Sequence, residues 1–193
     1  MAFPILTFPA DLAATSFRAL DDWNSRSWLQ LPFVPTQTQV SRNLQYTEVS
    51  PPGNSSSFVQ FTQGGVHKLQ LELFLNDIGK KQGDGFAGSW APGSTGSEFS
   101  VTSVDDVLNW LKRASNAQYD QDNVWRGPST LGLVIAADAK GSYVISSIGA
   151  RITQRFNRAL GDGIRGKVAR STVSVTLSEY NTIPIPQTSG FRW

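Results

Sequence analysis

The sequence predicts a mainly β protein with one α-helix, folded as an antiparallel β-sandwich or a partly rolled barrel. Three patterns support this fold class. Four leucines alternate with other residues from Leu69 to Leu75, and two further stretches, 131–156 and 164–180, alternate in the same way. A single apolar stripe at helical spacing follows Ser103. Period-2 patterns indicate half-buried strands, and the stripe indicates one amphipathic helix packed on a sheet.

The first strands are predicted over residues 41–49 and from residue 58 onward. Apolar residues alternate weakly in 41–49, and the Pro-Pro-Gly-Asn run that begins at Pro51 predicts a turn. The extended run then reaches the Gly64–Gly65 pair and is followed by the leucine strand. Four leucines at strict period 2 require a strand with one buried face.

A surface loop is predicted over residues 76–96 because this stretch is polar and rich in glycine. Ser103 then predicts a helix N-cap, with Asp105 and Asp106 in the first turn, where the helix dipole favours anions. Val104, Val107, Leu108 and Leu111 form the apolar stripe.

The last third of the chain predicts long antiparallel hairpins. A strand over 131–135 is followed by a predicted turn at Asp138–Gly141 and a strand that continues to Phe156. The turn Gly161–Gly163 precedes a stretch, 164–180, that is too long for one regular strand. A change of phase within it predicts a β-bulge near Ala169–Ser171.

Three segments follow from these patterns: an extended N-terminal arm (1–40), a β domain (41–180) and an extended C-terminal peptide (181–193). The arm contains Trp23 and Trp28, large apolar groups that need a surface to cover them. They either fold back on the chain's own sheet or dock on a neighbouring subunit.

Composition excludes several function classes. The chain has 193 residues, no cysteine and a single histidine, His67, which excludes disulfides, thiolate chemistry and multi-histidine metal sites. A formal net charge of +2 predicts a weak long-range field. The start lacks the basic region of a secretion signal, and no apolar run approaches the roughly 20 residues of a membrane span. We expect a soluble protein made in a reducing compartment.

No motif indicates catalysis or a cofactor. The glycine- and lysine-rich stretch 79–85 lacks the order of residues that wraps phosphates. The carboxylate pairs Asp21–Asp22 and Asp105–Asp106 have structural explanations, which argues against a glycosidase. We therefore expect no enzymatic activity, no cofactor and no metal.

Basic residues cluster in the two strands of the last hairpin. Strict alternation places Arg151 and Arg155 on the face opposite Ile152 and Phe156. The stripe is either a solvated outer face or a contact with an acidic neighbouring subunit, with nucleic acid as a third alternative. The cluster comprises Arg151, Arg155, Arg158, Arg165, Lys167 and Arg170.

In the stretch Phe61–Asp77 (FTQGGVHKLQLELFLND) a glycine pair precedes a strand that ends in a Leu-Phe-Phe-Asp-like sequence. This stretch resembles the tube proteins of contractile injection systems and phage tails. Gly127–Leu131, Tyr143–Ile148, Gly163–Arg170 and Val173–Tyr180 follow the rest of the family's pattern. The match covers about 58–180, two-thirds of the chain.

The resemblance implies a tail-tube-like fold in which hairpins from six subunits form a continuous inner barrel around a channel. The backbone edges at 143–180 are expected to be completed by copies of the same chain. Partners are then the other subunits of a homo-hexamer and the adjacent tube and baseplate or spike hub proteins. DNA is expected only as cargo in the channel, and the location is the virion, assembled in the bacterial host cytoplasm.

Two departures from the family refine this expectation. Leu133–Ala137 replaces an aromatic-Trp-Gly segment, and no peptidoglycan-binding LysM segment follows Tyr180. We therefore expect a compact tube-initiator or baseplate hub-adaptor ring. The candidate interface residues are Trp23, Trp28, Arg151, Arg155, Arg165, Lys167 and Trp193. The alternative is a carbohydrate-binding β-sandwich that recognises a receptor, indicated by the tryptophan content and low charge.

Overall fold

The computed structural model describes residues 15–21, 26–49, 58–78, 85–91, 98–119, 124–136, 138–156 and 166–180. The fold is mainly antiparallel β with one helix, α1 (Val104–Ser115), which confirms the predicted class. The strands are β1 (Thr15–Ala19), β2 (Trp28–Leu31), β3 (Gln37–Val49), β4 (Phe58–Asn76), β5 (Ala87–Trp90), β6 (Phe99–Ser100), β7 (Gln118–Tyr119), β8 (Trp125–Arg126), β9 (Thr130–Ile135), β10 (Asp138–Arg155) and β11 (Val168–Glu179).

Nine of these strands form one sheet in the order β3-β4-β11-β10-β9-β1-β2-β5-β6, and every pairing in it is antiparallel. The sheet is open, with β3 and β6 at its two edges. β7 and β8 pair separately as a short ribbon. The hairpins predicted in the last third of the chain are β9–β10 and β10–β11. The strands predicted over 41–49 and from residue 58 pair with each other as a further long hairpin, β3–β4.

The leucine strand is the buried half of β4, as predicted. Leu69, Leu71, Leu73 and Leu75 are all buried, whereas Phe74 on the opposite face is 46% exposed. The Gly64–Gly65 pair does not end the strand, because β4 runs through the pair and has 19 residues in total.

The helix begins as the sequence predicts. Ser103 is its N-cap, and the Asp106 amide donates to the Ser103 hydroxyl while the Asp106 carboxylate accepts from the Ser103 amide. This reciprocal pair is a capping box, which satisfies two amides that the first turn leaves without helical partners.

Two carboxylates attach the start of the helix to the sheet. The Val104 amide donates to Asp77, just after β4, at 2.7 Å, and Asp105 accepts from the Val168 amide of β11 at 2.8 Å. Hydrogen bonds to charged groups are stronger than neutral ones, so these contacts hold the start of α1 against β4 and β11.

One hydrophobic core joins both halves of the sheet to the helix. Trp110 of α1 packs on Phe17 of β1 and edge to face on Trp90 of β5. The same buried cluster contains the β4 leucines, so residues near both edges of the sheet share one core. The helix stripe predicted from sequence does not include Trp110, and the predicted surface loop 76–96 includes Trp90. The loop prediction is wrong at Ala87–Trp90, where a short strand pairs with β2.

The predicted N-terminal arm is also wrong wherever the structure describes it. β1 pairs with β2 and β9 inside the sheet, and Phe17, Leu29 and Leu31 are fully buried. The arm prediction failed because strands of four or five residues show little periodicity, and their burial depends on partners distant in sequence. Residues 1–14 and the predicted C-terminal peptide 181–193 lie outside the described residues.

Of two irregularities predicted in the last hairpins, one is wrong and one is confirmed. The turn predicted at Asp138–Gly141 is part of β10, where a register irregularity coincides with a positive φ of 105° at Gly141. The bulge predicted near Ala169–Ser171 is confirmed, because the register shifts there and both Val168 and Ala169 are buried. The predicted turn Gly161–Gly163 lies outside the described residues.

Candidate subunit interface

The two long hairpins form a four-stranded unit, β3-β4-β11-β10, within the sheet. β11 lies inside this unit and pairs on both sides. β10 pairs with β9 only over its first part, up to Val144. We define the β10 edge as the outer side of residues 145–155 and the β3 edge as the outer side of residues 37–45. Within the described residues, no strand pairs with either edge.

The backbone edges at 143–180 were expected to be completed by copies of the same chain. Within that stretch β11 is already paired on both sides, so only β10 has an open edge among the described residues. The second open edge of this unit lies on β3, outside the stretch expected to pair between copies. β3 alternates only weakly in sequence, and the alternation in β4 specifies which face its side chains take, not which strand is outermost.

The two open edges run in opposite directions. Each of the three pairings β3–β4, β4–β11 and β11–β10 is antiparallel, so β3 and β10 are themselves antiparallel. The β3 edge of one copy can therefore pair with the β10 edge of another and continue the antiparallel order. Such a head-to-tail contact uses two different surfaces and generates a ring when the rotation closes.

Beyond Lys68, β4 loses its β11 partner and pairs with β3 alone. We call this two-stranded part, residues 42–49 and 58–67, the β3–β4 ribbon. An isolated two-stranded hairpin is at best marginally stable in water. The ribbon nevertheless exposes many large apolar side chains, with Val59 reaching 69%. They are Leu44, Tyr46, Val59, Phe61 and Val66.

Local contacts explain the shape of the ribbon. A Cβ at Gly65 would overlap the carbonyl oxygen of Asn43, so only glycine permits this close approach of the strands. The Arg42 Nε donates to the Gly65 carbonyl at 3.2 Å, and the rings of Tyr46 and Phe61 pack edge to face at 5.6 Å. The register shifts twice here. The glycine pair that carries the family resemblance thus shapes the base of the ribbon.

The structure describes four members of the basic cluster. Arg151, Arg155 and Lys167 are exposed on the surface of the β10–β11 hairpin, and Arg155 Nη1 donates to the Gly166 carbonyl at 2.7 Å. Arg170 is partly buried, with its guanidinium 5.8 Å from the centroid of the Phe74 ring. Register shifts between Ile152 and Arg155 interrupt the alternation, so a shared face for the two arginines no longer follows. Arg158 and Arg165 lie outside the described residues.

Trp28 belongs to this subunit's own sheet, where it is partly buried on β2 between β1 and β5. This corrects its assignment as part of an arm and favours the first of the two alternatives, folding back on the chain itself. Trp90 and Trp110 are buried in the core, and Trp125 is 60% exposed on β8. Trp23 and Trp193 lie outside the described residues.

Titratable side chains come together in a pocket where the β3–β4 ribbon leaves the sheet. This pocket has a volume of about 140 Å³ and is lined by His67, Lys68, Tyr143 and Glu179. Among the described residues, no three His, Cys, Asp or Glu side chains come together in a way that would hold a metal ion. The described part of the chain contains no helix with the length and apolar character of a membrane span.

No protein-family model matches this chain, and neither does any curated protein. The fold and the geometry of its surface are therefore the observations that bear on function.

Proposed function

We propose that this chain is a structural subunit of a contractile phage tail or related injection machine. Six copies form a tube-initiator or baseplate hub ring that joins the spike hub to the tail tube. The observation that carries the proposal is the pair of open, antiparallel edges on opposite sides of the β3-β4-β11-β10 unit.

Exposed edges of this length are a liability for a monomer. Unpaired strand edges recruit other strands, and proteins that remain monomeric shorten, charge or cover them. Here the β3 edge spans nine residues and contains one charged side chain, Arg42. Its side chains are exposed, so the neighbour that completes it comes from outside the described fold. Pairing between copies satisfies the β3 edge and the β10 edge at once around a closed ring.

The exposed ribbon fits the same role. Apolar side chains on a projecting two-stranded ribbon need cover, and in a stack of rings the adjacent ring is the nearest surface. The resemblance of residues 58–180 to tube proteins supports a tube-like assembly, and its glycine pair lies at the base of the ribbon.

The stoichiometry is tested by native mass spectrometry and by quantitative mass spectrometry of intact particles. A ring of six 21.1 kDa chains has a mass of about 127 kDa. We expect this species when the chain is mixed with the adjacent ring proteins, and six copies per particle. Circular dichroism of the free chain is the control for folding.

Two results would contradict the proposal. The first is absence of the chain from every purified tail or injection particle made by the strain that encodes it. The second is a dimer of about 42 kDa in all conditions, because β3 can also pair with a second β3 across a two-fold axis. Retention of an oligosaccharide by a monomer would favour the carbohydrate-binding alternative.

A further inference from the structure

The cross-strand register shows that the two open edges are offset along the strands. Gln37 on β3 is level with Glu72, which is level with Ser174, which is level with Gly149 on β10. The same chain of partners runs from Val40 through β4 and β11 to Ile145. At equal height, residues 37–40 therefore face residues 145–149 of a neighbouring copy. The rest of each edge extends past the other in opposite directions.

Two copies at the same height would leave most of both edges open. Raising one copy along the strands brings more of the β10 edge against the β3 edge. The shift has to be an even number of residues, because a slip of one residue moves every side chain to the other face. A shift of six residues places Asn43 opposite Gly149 and aligns 40–45 with 152–147, the regular part of β10 before its register shifts after Ile152.

The same shift provides the strand tilt that a closed barrel needs. Six residues correspond to about 20 Å along the strands, and four strands span about 19 Å across them. The resulting tilt is about 46°, at the upper end of the range of roughly 35–45° found in barrels. A level ring would have no tilt at all.

We propose that neighbouring subunits pair β3 with β10 in this staggered register, with Asn43 of one copy opposite Gly149 of the next. The inference depends on the proposed ring. Six four-stranded units then give a barrel of about 24 strands with a backbone diameter of roughly 50 Å, wide enough to leave an open channel.

The arrangement also bears on the basic cluster. Within residues 37–45 the β3 edge contains no carboxylate, so it offers no acidic partner to Arg151 or Arg155 of the next copy. The contact is therefore a backbone pairing without ion pairs to these arginines, and we expect it to depend little on salt.

Disulfide trapping tests the register, because the chain has no cysteine of its own. The double variant Asn43→Cys/Gly149→Cys reports the staggered register, and Gln37→Cys/Gly149→Cys is the matched control for the level one. A disulfide needs a Cα–Cα distance of about 4.4–6.8 Å. Within one copy, Gln37 and Gly149 lie three strands apart, about 14 Å, so any cross-link joins two copies.

The variants are incorporated into particles, oxidised, and separated without reductant. We expect a ladder up to six chains for Asn43→Cys/Gly149→Cys and only monomer for the Gln37 control. Gly149 tolerates the change because its Cβ position meets nothing within 4 Å. If the first variant fails to assemble, Ser41→Cys/Arg151→Cys reports the same register.

The two proposals fail in different ways. A ladder from the Gln37 control alone, in particles with six copies, refutes the stagger and keeps the ring. Six copies without any cross-link at either staggered pair also refutes the stagger. Particles that lack the chain refute the ring, and the stagger with it.

Discussion

Two buried tryptophans provide a paired test of the core, because only one of their indole N–H groups is satisfied. Trp110 Nε1 donates to the Ser89 carbonyl at 3.1 Å. Trp90 Nε1 is buried and has no hydrogen-bond partner among the described residues. Both rings are fully buried and pack edge to face with centroids 5.8 Å apart. The variants Trp90→Phe and Trp110→Phe therefore remove similar surface but different polar contacts.

The expected magnitudes follow from these contacts. Replacing tryptophan with phenylalanine removes about 40 Å² of buried surface, or about 1 kcal/mol, and the remaining cavity adds about 1 kcal/mol. In Trp110→Phe the lost hydrogen bond to the Ser89 carbonyl adds about 1–2 kcal/mol. In Trp90→Phe the removal of an unsatisfied donor recovers about 1–2 kcal/mol. We expect Trp110→Phe to be the more destabilising by about 2–4 kcal/mol.

Urea unfolding followed by far-ultraviolet circular dichroism measures the free energy of unfolding of both variants. Trp125→Phe on exposed β8 is the control, expected within about 0.5 kcal/mol of the parent chain. If Trp90→Phe destabilises the protein as much as Trp110→Phe, the unequal hydrogen bonding of the two indoles does not govern the stability of this core.

Three further perturbations test separate parts of the fold. Gly65→Ala should separate the two strands of the β3–β4 ribbon and speed amide exchange in 42–49 and 58–67, because the new Cβ would overlap a β3 carbonyl. Gly149→Ala is the control: its Cβ has open space, so amide exchange in the ribbon should be unchanged. Asp105→Ala should lower the free energy of unfolding by about 1–3 kcal/mol, because it removes the acceptor of the first β11 amide. Asn109→Ala, at an exposed position on the same helix, should leave the free energy of unfolding unchanged. Equal effects of the two variants in urea unfolding would refute a role of the Asp105 hydrogen bond in stability. Burial raises the pKa of the Asp21 carboxyl above 3.8 in the folded state, so the folded chain keeps this proton at pH values where the unfolded chain has already released it. The free energy of unfolding therefore falls as pH rises from the unfolded pKa to the folded pKa. The difference in unfolding free energy between the parent chain and Asp21→Asn should fall with pH accordingly, and a constant difference would exclude this role for Asp21.

Local patterns were sufficient for the elements with strong periodicity. The β4 leucines and the capped helix at Ser103 were predicted correctly because a period of two residues, a period of 3.6 residues and a capping box are all encoded by near neighbours in sequence. The bulge near Ala169 was predicted for the same reason, since a change of phase is visible within one strand.

Short strands were missed because their signal is distributed over distant partners. β1, β2 and β5 have four or five residues each, and they become strands by pairing with one another and with β9. Trp90 is buried because Trp110 and the surrounding core cover it, which no pattern within a polar, glycine-rich stretch indicates.

The sequence by itself determined that the chain is a β protein with one amphipathic helix, and it determined the faces that β4, α1 and β11 bury. Only the tertiary structure decided which strands lie inside the sheet and which lie at its open edges. The physical reason is that alternation specifies the face a side chain takes, whereas edge position depends on long-range hydrogen-bonded pairing. That pairing places β11 between two partners and leaves β3 and the second half of β10 each with one.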